Sequence, residues 1–300
     1  MPLDRKKNAS NLDHIHGQDL MRGEYTVGET ASNRGALLHG TTIHPYDGGT
    51  SAETQSGTSI FDPVLCELAY RWFCPTGGSV LDPFAGGSVR GVVASQCGFD
   101  YHGVDLSARQ IAANEAQAHD ICTTGKMPRW SLGDSKDLAT IAPGMYDFVF
   151  SCPPYGDLEV YSDDAADLSV MDHAEFVAAY RRIVAAAVGM LKPDRFACFV
   201  VGDFRDAKGF YRNFVAETIA AFQDAGAMLY NEAILVTAVG SLPIRVGRMF
   251  ESGRKLGKTH QNVLVFFKGN PKTIKSWDLP DFGNTTDDNQ QGDYNSAVTP

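Results

Sequence analysis

The chain lacks the cysteine pairing that a disulfide scaffold or a zinc module needs. Its six cysteines (66, 74, 97, 122, 152 and 198) are scattered, mostly in apolar runs, with no C-x-x-C pair and no zinc spacing. Reduced, mostly buried thiols are the expectation, and no metal site is expected. No run of 18 or more apolar residues occurs, and the opening MPLDRKKNASNLDHIHGQDL has no apolar signal region. A soluble, cytoplasmic protein with no membrane partner is expected. Basic excess is missing as well. A net charge of −10 argues against a phosphate-binding surface over the whole molecule and leaves room for a local one. Both common nucleotide fingerprints, GxxxxGK[ST] and GxGxxG, are absent.

What is present is enough apolar content, 43%, for one large α/β domain with extensions. Residues 1–55 are rich in Gly, Thr, Ser, Asn and His and read as an irregular arm. From 56 to 270 the pattern alternates. Strands are predicted at Ser79–Leu81, Tyr101–Val104, Phe148–Phe150, Phe196–Val201, Met228–Val236 and Val263–Phe267. Helices are predicted at Asp62–Phe73, Ser88–Cys97, Ser107–Gln117, His173–Leu191 and Gly209–Ala225. Asp172 and Glu175 form a capping box for the fourth helix, and Lys192-Pro193 closes it. Such alternation predicts a doubly wound, mostly parallel sheet, with the last two strands as an antiparallel edge hairpin. Residues 271–300 read as an acidic, disordered tail.

VLDPFAGGSVRGVV follows the first strand and opens a helix. Gly86 and Gly87 let backbone approach a ligand closely, and the helix N-terminus adds partial positive charge. Asp82, just before the glycines, suits a cationic or zwitterionic ligand better than a pyrophosphate. HGVDLS ends the second strand with Asp105, placed to accept both hydroxyls of a ribose. Asp134, in SLGDSKDL, falls where a third strand would end and suits an adenine amino group. Each aspartate alone reads as a helix cap or turn residue, but three after successive strands form a pattern. The apolar run Tyr146–Phe150 then ends in Ser151-Cys-Pro-Pro-Tyr155. Two prolines cannot donate to a ladder and stiffen the chain, so Tyr155 is expected on a rigid ledge at the strand's carboxyl end, suited to stacking on a planar base.

In combination LDPFAGGS, GVDLSARQIAAN, GDS and SCPPY, over roughly residues 56–268, resemble the S-adenosylmethionine-dependent DNA amino-methyltransferases, which modify N4 of cytosine or N6 of adenine. The resemblance implies a Rossmann-like, seven-stranded methyltransferase fold, S-adenosyl-L-methionine as cofactor and duplex DNA as partner, in a bacterial or phage-infected cell and in the manner of restriction–modification enzymes. Gly57–Pro63 resembles the family's cofactor-carboxylate segment, and Thr259–Gly269 its closing strand. The cofactor set so implied is Thr58, Ser59, Asp82, Phe84, Ala85, Gly86, Gly87, Asp105, Leu106, Asp134 and Ser135. The catalytic set is Ser151, Cys152, Pro153, Pro154 and Tyr155.

One departure stands out. The family has Asp, Asn or Ser where this chain has Cys152, and a thiol is a poor acceptor. Ser151, the Cys152 and Pro153 carbonyls, or a thiolate remain open as the contact to the target amine. Three other readings also stay open: RNA or a small amine as substrate, C5-pyrimidine methylation with Cys152 as nucleophile, and an inactive accessory binding protein. Asp157, Glu159, Tyr161, Asp163 and Asp164 put an acidic patch beside the turn. Positive charge gathers instead at Arg205, Arg245, Arg248, Arg254, Lys255 and Lys258, the last five in a Gly-rich stretch, 238–258, read as helix-free. That stretch is short for target recognition, so a protein partner or second subunit is a further expectation.

Overall fold

The computed structural model describes residues 61–123, 125–156, 161–236 and 242–276. Most of the predicted arm and tail, with Thr58, Ser59, Asp157 and Glu159, lies outside them. The described residues fold as α1 (Pro63–Phe73), β1 (Ser79–Asp82), α2 (Val89–Gln96), β2 (Asp100–Asp105), α3 (Ala108–Ile121), β3 (Arg129–Leu132), α4 (Leu138–Ile141) and β4 (Tyr146–Ser151). There follow α5 (His173–Met190), β5 (Leu191–Val201), α6 (Phe214–Asp224), β6 (Met228–Val236), α7 (Leu242–Gly253) and β7 (His260–Lys268).

The strands form one seven-stranded sheet in the order β3-β2-β1-β4-β5-β7-β6. β1 to β5 are parallel, and β7 runs antiparallel between β5 and β6. The mostly parallel α/β sheet and the antiparallel edge pair are as the alternation predicts, and the seven-stranded Rossmann-like form is as the resemblance implies. Order reverses at β1, which has β2 on one side and β4 on the other, so the carboxyl ends of β1 and β4 flank the switch point where α/β folds bind ligands.

Helices cover both faces. Phe176 and Tyr180 of α5 with Phe214 and Phe222 of α6 pack on one face with Val149, Phe199 and Phe266. Tyr70 of α1 packs on the other with Phe148, Phe150 and Phe196. β4 is buried along its whole length, the pattern of a central parallel strand. Asp62 caps α1 through the Val64 and Leu65 N–H groups, and the predicted Asp172–Glu175 capping box forms at α5.

Three expectations need correction. The stretch read as helix-free holds α7: Pro243 falls in its first turn, where a missing N–H does no harm, and half-buried Leu242, Val246 and Met249 recur at helical spacing. α6 starts at Phe214 rather than Gly209, because Asn213 is left-handed (φ 59°) and residues 205–212 close a separate turn. The fold also runs past residue 270. A 3-10 turn at Pro271–Ser276 lays Ile274 on the core, and the Asp194 carboxylate accepts from the Asn270 N–H at 2.8 Å.

Candidate active site

The site is built around one buried carboxylate. Asp82, at the end of β1, is fully buried. Its Oδ2 accepts from Arg90 Nε at 2.6 Å and from the Tyr101 hydroxyl at 2.7 Å. Its Oδ1 accepts from the Ser151 hydroxyl at 2.5 Å and the Phe84 N–H at 3.1 Å. Arg90, in the first turn of α2, also donates to the carbonyls of Phe84 (2.6 Å) and Ala85 (2.9 Å), and its guanidinium lies 4.8 Å from the Phe61 ring centroid. The Asp82 side chain therefore serves the turn, which corrects the expectation that it faces a ligand. Arg90 is a residue of this turn to which the sequence reading assigned no role. Its place in an apolar helix opening, eight residues after an aspartate, was the available signal.

The turn that this pair secures is open at its tip. Gly86 is left-handed (φ 50°), and a Cβ added there would meet nothing within 4 Å. Glycine takes this conformation without strain, and the space beside the turn's tip is open. The Gly86 N–H donates to Asp105 Oδ2 at 2.8 Å, and the Ser107 N–H to Asp105 Oδ1 at 2.8 Å. Each carboxylate oxygen keeps a second lone pair, so half-buried Asp105 can still accept from two further donors. Burial raises its pKa, against the pull of the Ser107 and Gly86 N–H groups. Buried Asn114 donates to the Gly86 carbonyl at 2.7 Å, and buried Ser135 donates to the Pro83 carbonyl at 2.6 Å. Asp134 binds the Lys136 N–H and ammonium (2.9 and 3.0 Å) at the end of β3. Phe84 and Leu106 are half-buried, Ala85 is buried, and Gly87 is half-buried beside Gly86. The described part of the predicted cofactor set thus converges on one sheet edge, with Asp82 and Ser135 beneath it.

The second turn leaves β4, next to β1. Ser151 is fully buried; besides donating to Asp82, it accepts from the Phe84 N–H at 3.2 Å. Its hydroxyl joins the two turns from below, which removes it as the contact to a target amine. Pro153 is buried, and Cys152 and Pro154 are half-buried. Tyr155 is 6% exposed. It packs edge-on to Phe204 and Phe214 at 6.2 and 6.1 Å, and its hydroxyl accepts from Gln261 Nε2 at 2.6 Å. Cys152 also hydrogen-bonds this hydroxyl, and burial holds the phenol pKa well above its usual value. The expectation of an exposed tyrosine ledge is corrected: the ring is anchored in the core. Gln261, in β7, is a site residue that sequence reasoning passed over, because only the strand pairing brings it to Tyr155.

The basic candidates divide. Lys258 Nζ and the Tyr155 hydroxyl lie 3.8 and 3.7 Å from the point a Cβ on Gly202 would occupy, and burial lowers the Lys258 pKa against the opposing charge of Asp203. Arg205 turns inward. It donates to the Gly209 carbonyl at 2.8 Å and stacks on Tyr211 at 3.8 Å, so it braces its own loop rather than reaching for phosphate. Arg248 and Arg254 are exposed on and just after α7, and Lys255 packs by Gly209. Arg245 falls in α7, its side chain outside the described residues.

No protein family and no curated protein matches the chain. Among solved structures, TrmN from Thermus thermophilus is 17% identical over 69% of this chain and 49% of its own, with a TM-score of 0.46. The chain thus matches about half the length of that relative. A magnesium protoporphyrin IX methyltransferase from Synechocystis with bound SAM is 12% identical over 69% of this chain and 76% of its own (TM-score 0.42). A putative sarcosine dimethylglycine methyltransferase from Galdieria sulphuraria is 13% identical over 77% and 93% (TM-score 0.49).

Proposed function

We propose that this chain transfers a methyl group from S-adenosyl-L-methionine to an exocyclic amine of a base in duplex DNA, N4 of cytosine or N6 of adenine. One observation carries the reading: the glycine turn after β1 and the Cys-Pro-Pro-Tyr turn after β4 lie on neighbouring parallel strands at the switch point, joined by Ser151 and Asp82. A ligand on the first turn is thereby adjacent to one on the second.

The residues fit the cofactor. Asp105, with two acceptor positions free, takes the vicinal hydroxyls of the ribose. The open face of Gly86 admits the chain that carries the sulfur, and Asp134 is the acceptor for an adenine amine. When bound, S-adenosyl-L-methionine supplies an electrophilic methyl on a sulfonium sulfur. On the other side, with Ser151 excluded and the Cys152 side chain hydrogen-bonded to the Tyr155 hydroxyl, this reading assigns the contact to the Cys152 and Pro153 carbonyls. Hydrogen bonds from the target amine to them keep its lone pair on nitrogen, aimed at the methyl. In the transfer the N–C bond would form as the C–S bond breaks, the sulfur leaving as a neutral thioether and the surplus amine proton passing to solvent water. Catalysis of this kind is positioning and electrostatics, which suits a turn fixed by two prolines and an anchored tyrosine. Lys258 lies near the Tyr155 hydroxyl at Gly202, and this reading assigns it a phosphate of the bound nucleotide.

Transfer of labelled methyl to unmethylated duplex DNA, followed by nucleoside mass spectrometry, tests this. N4-methylcytosine or N6-methyladenine supports it. Label only on RNA, or only on C5 of a pyrimidine, overturns it.

A further inference from the structure

The loop between β5 and α6 presents an aromatic side chain that the fold does not use. Phe210 is 71% exposed and Tyr211 46%. Such exposure is ordinary on a slack loop, but this turn is closed from several sides. Arg205 and Tyr211 form an antiparallel bridge. The Asp206 N–H donates to the Phe210 carbonyl at 2.8 Å, the Phe210 N–H to Asp206 Oδ1 at 2.9 Å, and the Gly209 N–H to the Asp206 carbonyl at 2.9 Å. Gly209 adopts φ 94°, and the inward-turned Arg205 clamps its carbonyl. The root of the loop belongs to the site: Phe204 packs on Tyr155, and its ring comes within 3.1 Å of the point a Cβ on Gly156 would occupy.

A rigid apolar tip thus stands on the same tyrosine that anchors the proposed target turn. Its setting is basic. Residues 203–212 and 242–258 together hold eight Lys or Arg against three Asp or Glu, in a chain of net charge −10. Exposed Lys208 is two residues from the tip, and Lys255 Nζ lies 2.9 Å from the point a Cβ on Gly209 would occupy.

We propose that Phe210 is a wedge that enters duplex DNA and takes the place of the extruded target base. The proposal rests on the DNA reading above. A paired base hides its amine inside the stack, so it must leave the helix to reach a turn at a sheet edge, and the vacated step loses its stacking. An aromatic ring on a preorganised loop restores part of it, while the neighbouring cations meet the flanking phosphates.

The test uses the full chain, single-turnover methyl transfer and two duplexes: the site the wild type modifies, and the same site with an abasic position opposite the target. Phe210→Ala is expected to slow transfer to the matched duplex by about tenfold or more, a loss that one stacking contact accounts for. The abasic duplex should restore it to within about threefold of wild type, because extrusion there breaks no pair. Phe210→Trp should retain activity on both, and cofactor affinity by calorimetry should not move. Equal rates for wild type and Phe210→Ala on the matched duplex overturn the wedge, as does an equal loss on both duplexes. A wild type that methylates no DNA overturns the DNA reading, and the wedge with it.

Discussion

At the scale of single residues, the pair Asp82–Arg90 shows how the glycine turn proposed to bind the cofactor is held from beneath. The arginine is 6% exposed at its side chain and the aspartate not at all, so removing one partner strands a buried charge. Arg90→Met is therefore expected to destabilise the fold by ~3–5 kcal/mol, read by urea denaturation. Ser151→Ala separates structure from chemistry. It removes one donor from a buried carboxylate, a loss of ~1.5–3 kcal/mol, but should leave the affinity for DNA unchanged; a lost affinity would return the hydroxyl to the substrate contacts. As the proposed ribose acceptor, Asp105 should make cofactor binding pH-sensitive. Its raised pKa means the folded state holds this proton more tightly than the unfolded chain, so the group's own contribution to stability is lost as pH rises through that window. Cofactor binding runs the other way, since only the carboxylate can accept two hydroxyls. Calorimetry should show affinity for S-adenosyl-L-methionine falling as pH drops towards that raised pKa, and Asp105→Asn should abolish the trend along with most of the affinity.

At the scale of elements, β4 is fixed at both ends. Its carboxyl end is the proposed catalytic turn; near its amino end Asp147 ties three segments together. Asp147 accepts from the Ser79 N–H and hydroxyl at 3.1 and 3.0 Å, from Lys192 at 2.8 Å and from Arg195 at 3.2 Å. Burial alone would raise its pKa, but these donors bring it down to about 2. With an unfolded value near ~3.9, its contribution of ~2 kcal/mol is present above that pH and is lost as pH falls towards 2. Asp147→Asn should be less stable than wild type at pH 6 and converge with it near pH 2, by denaturant titration; a constant gap would mean packing, not charge, sets the difference. These elements also show what was legible. The parallel strands and their helices follow from apolar runs and caps such as Asp62, Asp172 and Glu175, which act within a few residues. β3, RWSL, lacks such a run and is fixed by pairing with β2. α7 hid behind Pro243, Gly247 and Gly253. Tyr155 looked like a ledge because a sequence shows that prolines precede it, not that Phe204, Phe214 and Gln261 close over it. The three aspartates were legible as a set, whereas their division into a buried brace and an open acceptor depends on Arg90 and Ser151 meeting beneath the turn.

At the scale of the molecule, the proposed binding of DNA by an acidic chain needs a local basic surface. Five of the cations proposed for this lie between residues 245 and 258, in the connection between β6 and β7, and the sheet order places β7 directly beside β5. That stretch is therefore attached to the same sheet edge as the proposed target turn, and Lys258 lies near Tyr155 at Gly202. If each cation neutralises one phosphate, the logarithm of the DNA binding constant should fall against the logarithm of salt concentration with a slope of about −3 to −5. Arg248→Ala and Arg254→Ala should each flatten that slope by ~0.9 without altering cofactor affinity. Arg205→Ala should behave differently. Its guanidinium is committed to Gly209 and Tyr211, so its loss should leave the slope intact and slow transfer by loosening the loop that carries Phe210. Fluorescence anisotropy of a labelled duplex between 50 and 200 mM salt reads both. A slope near zero would remove phosphate contacts from this surface, and a flattened slope in Arg205→Ala would mean that arginine reaches DNA after all.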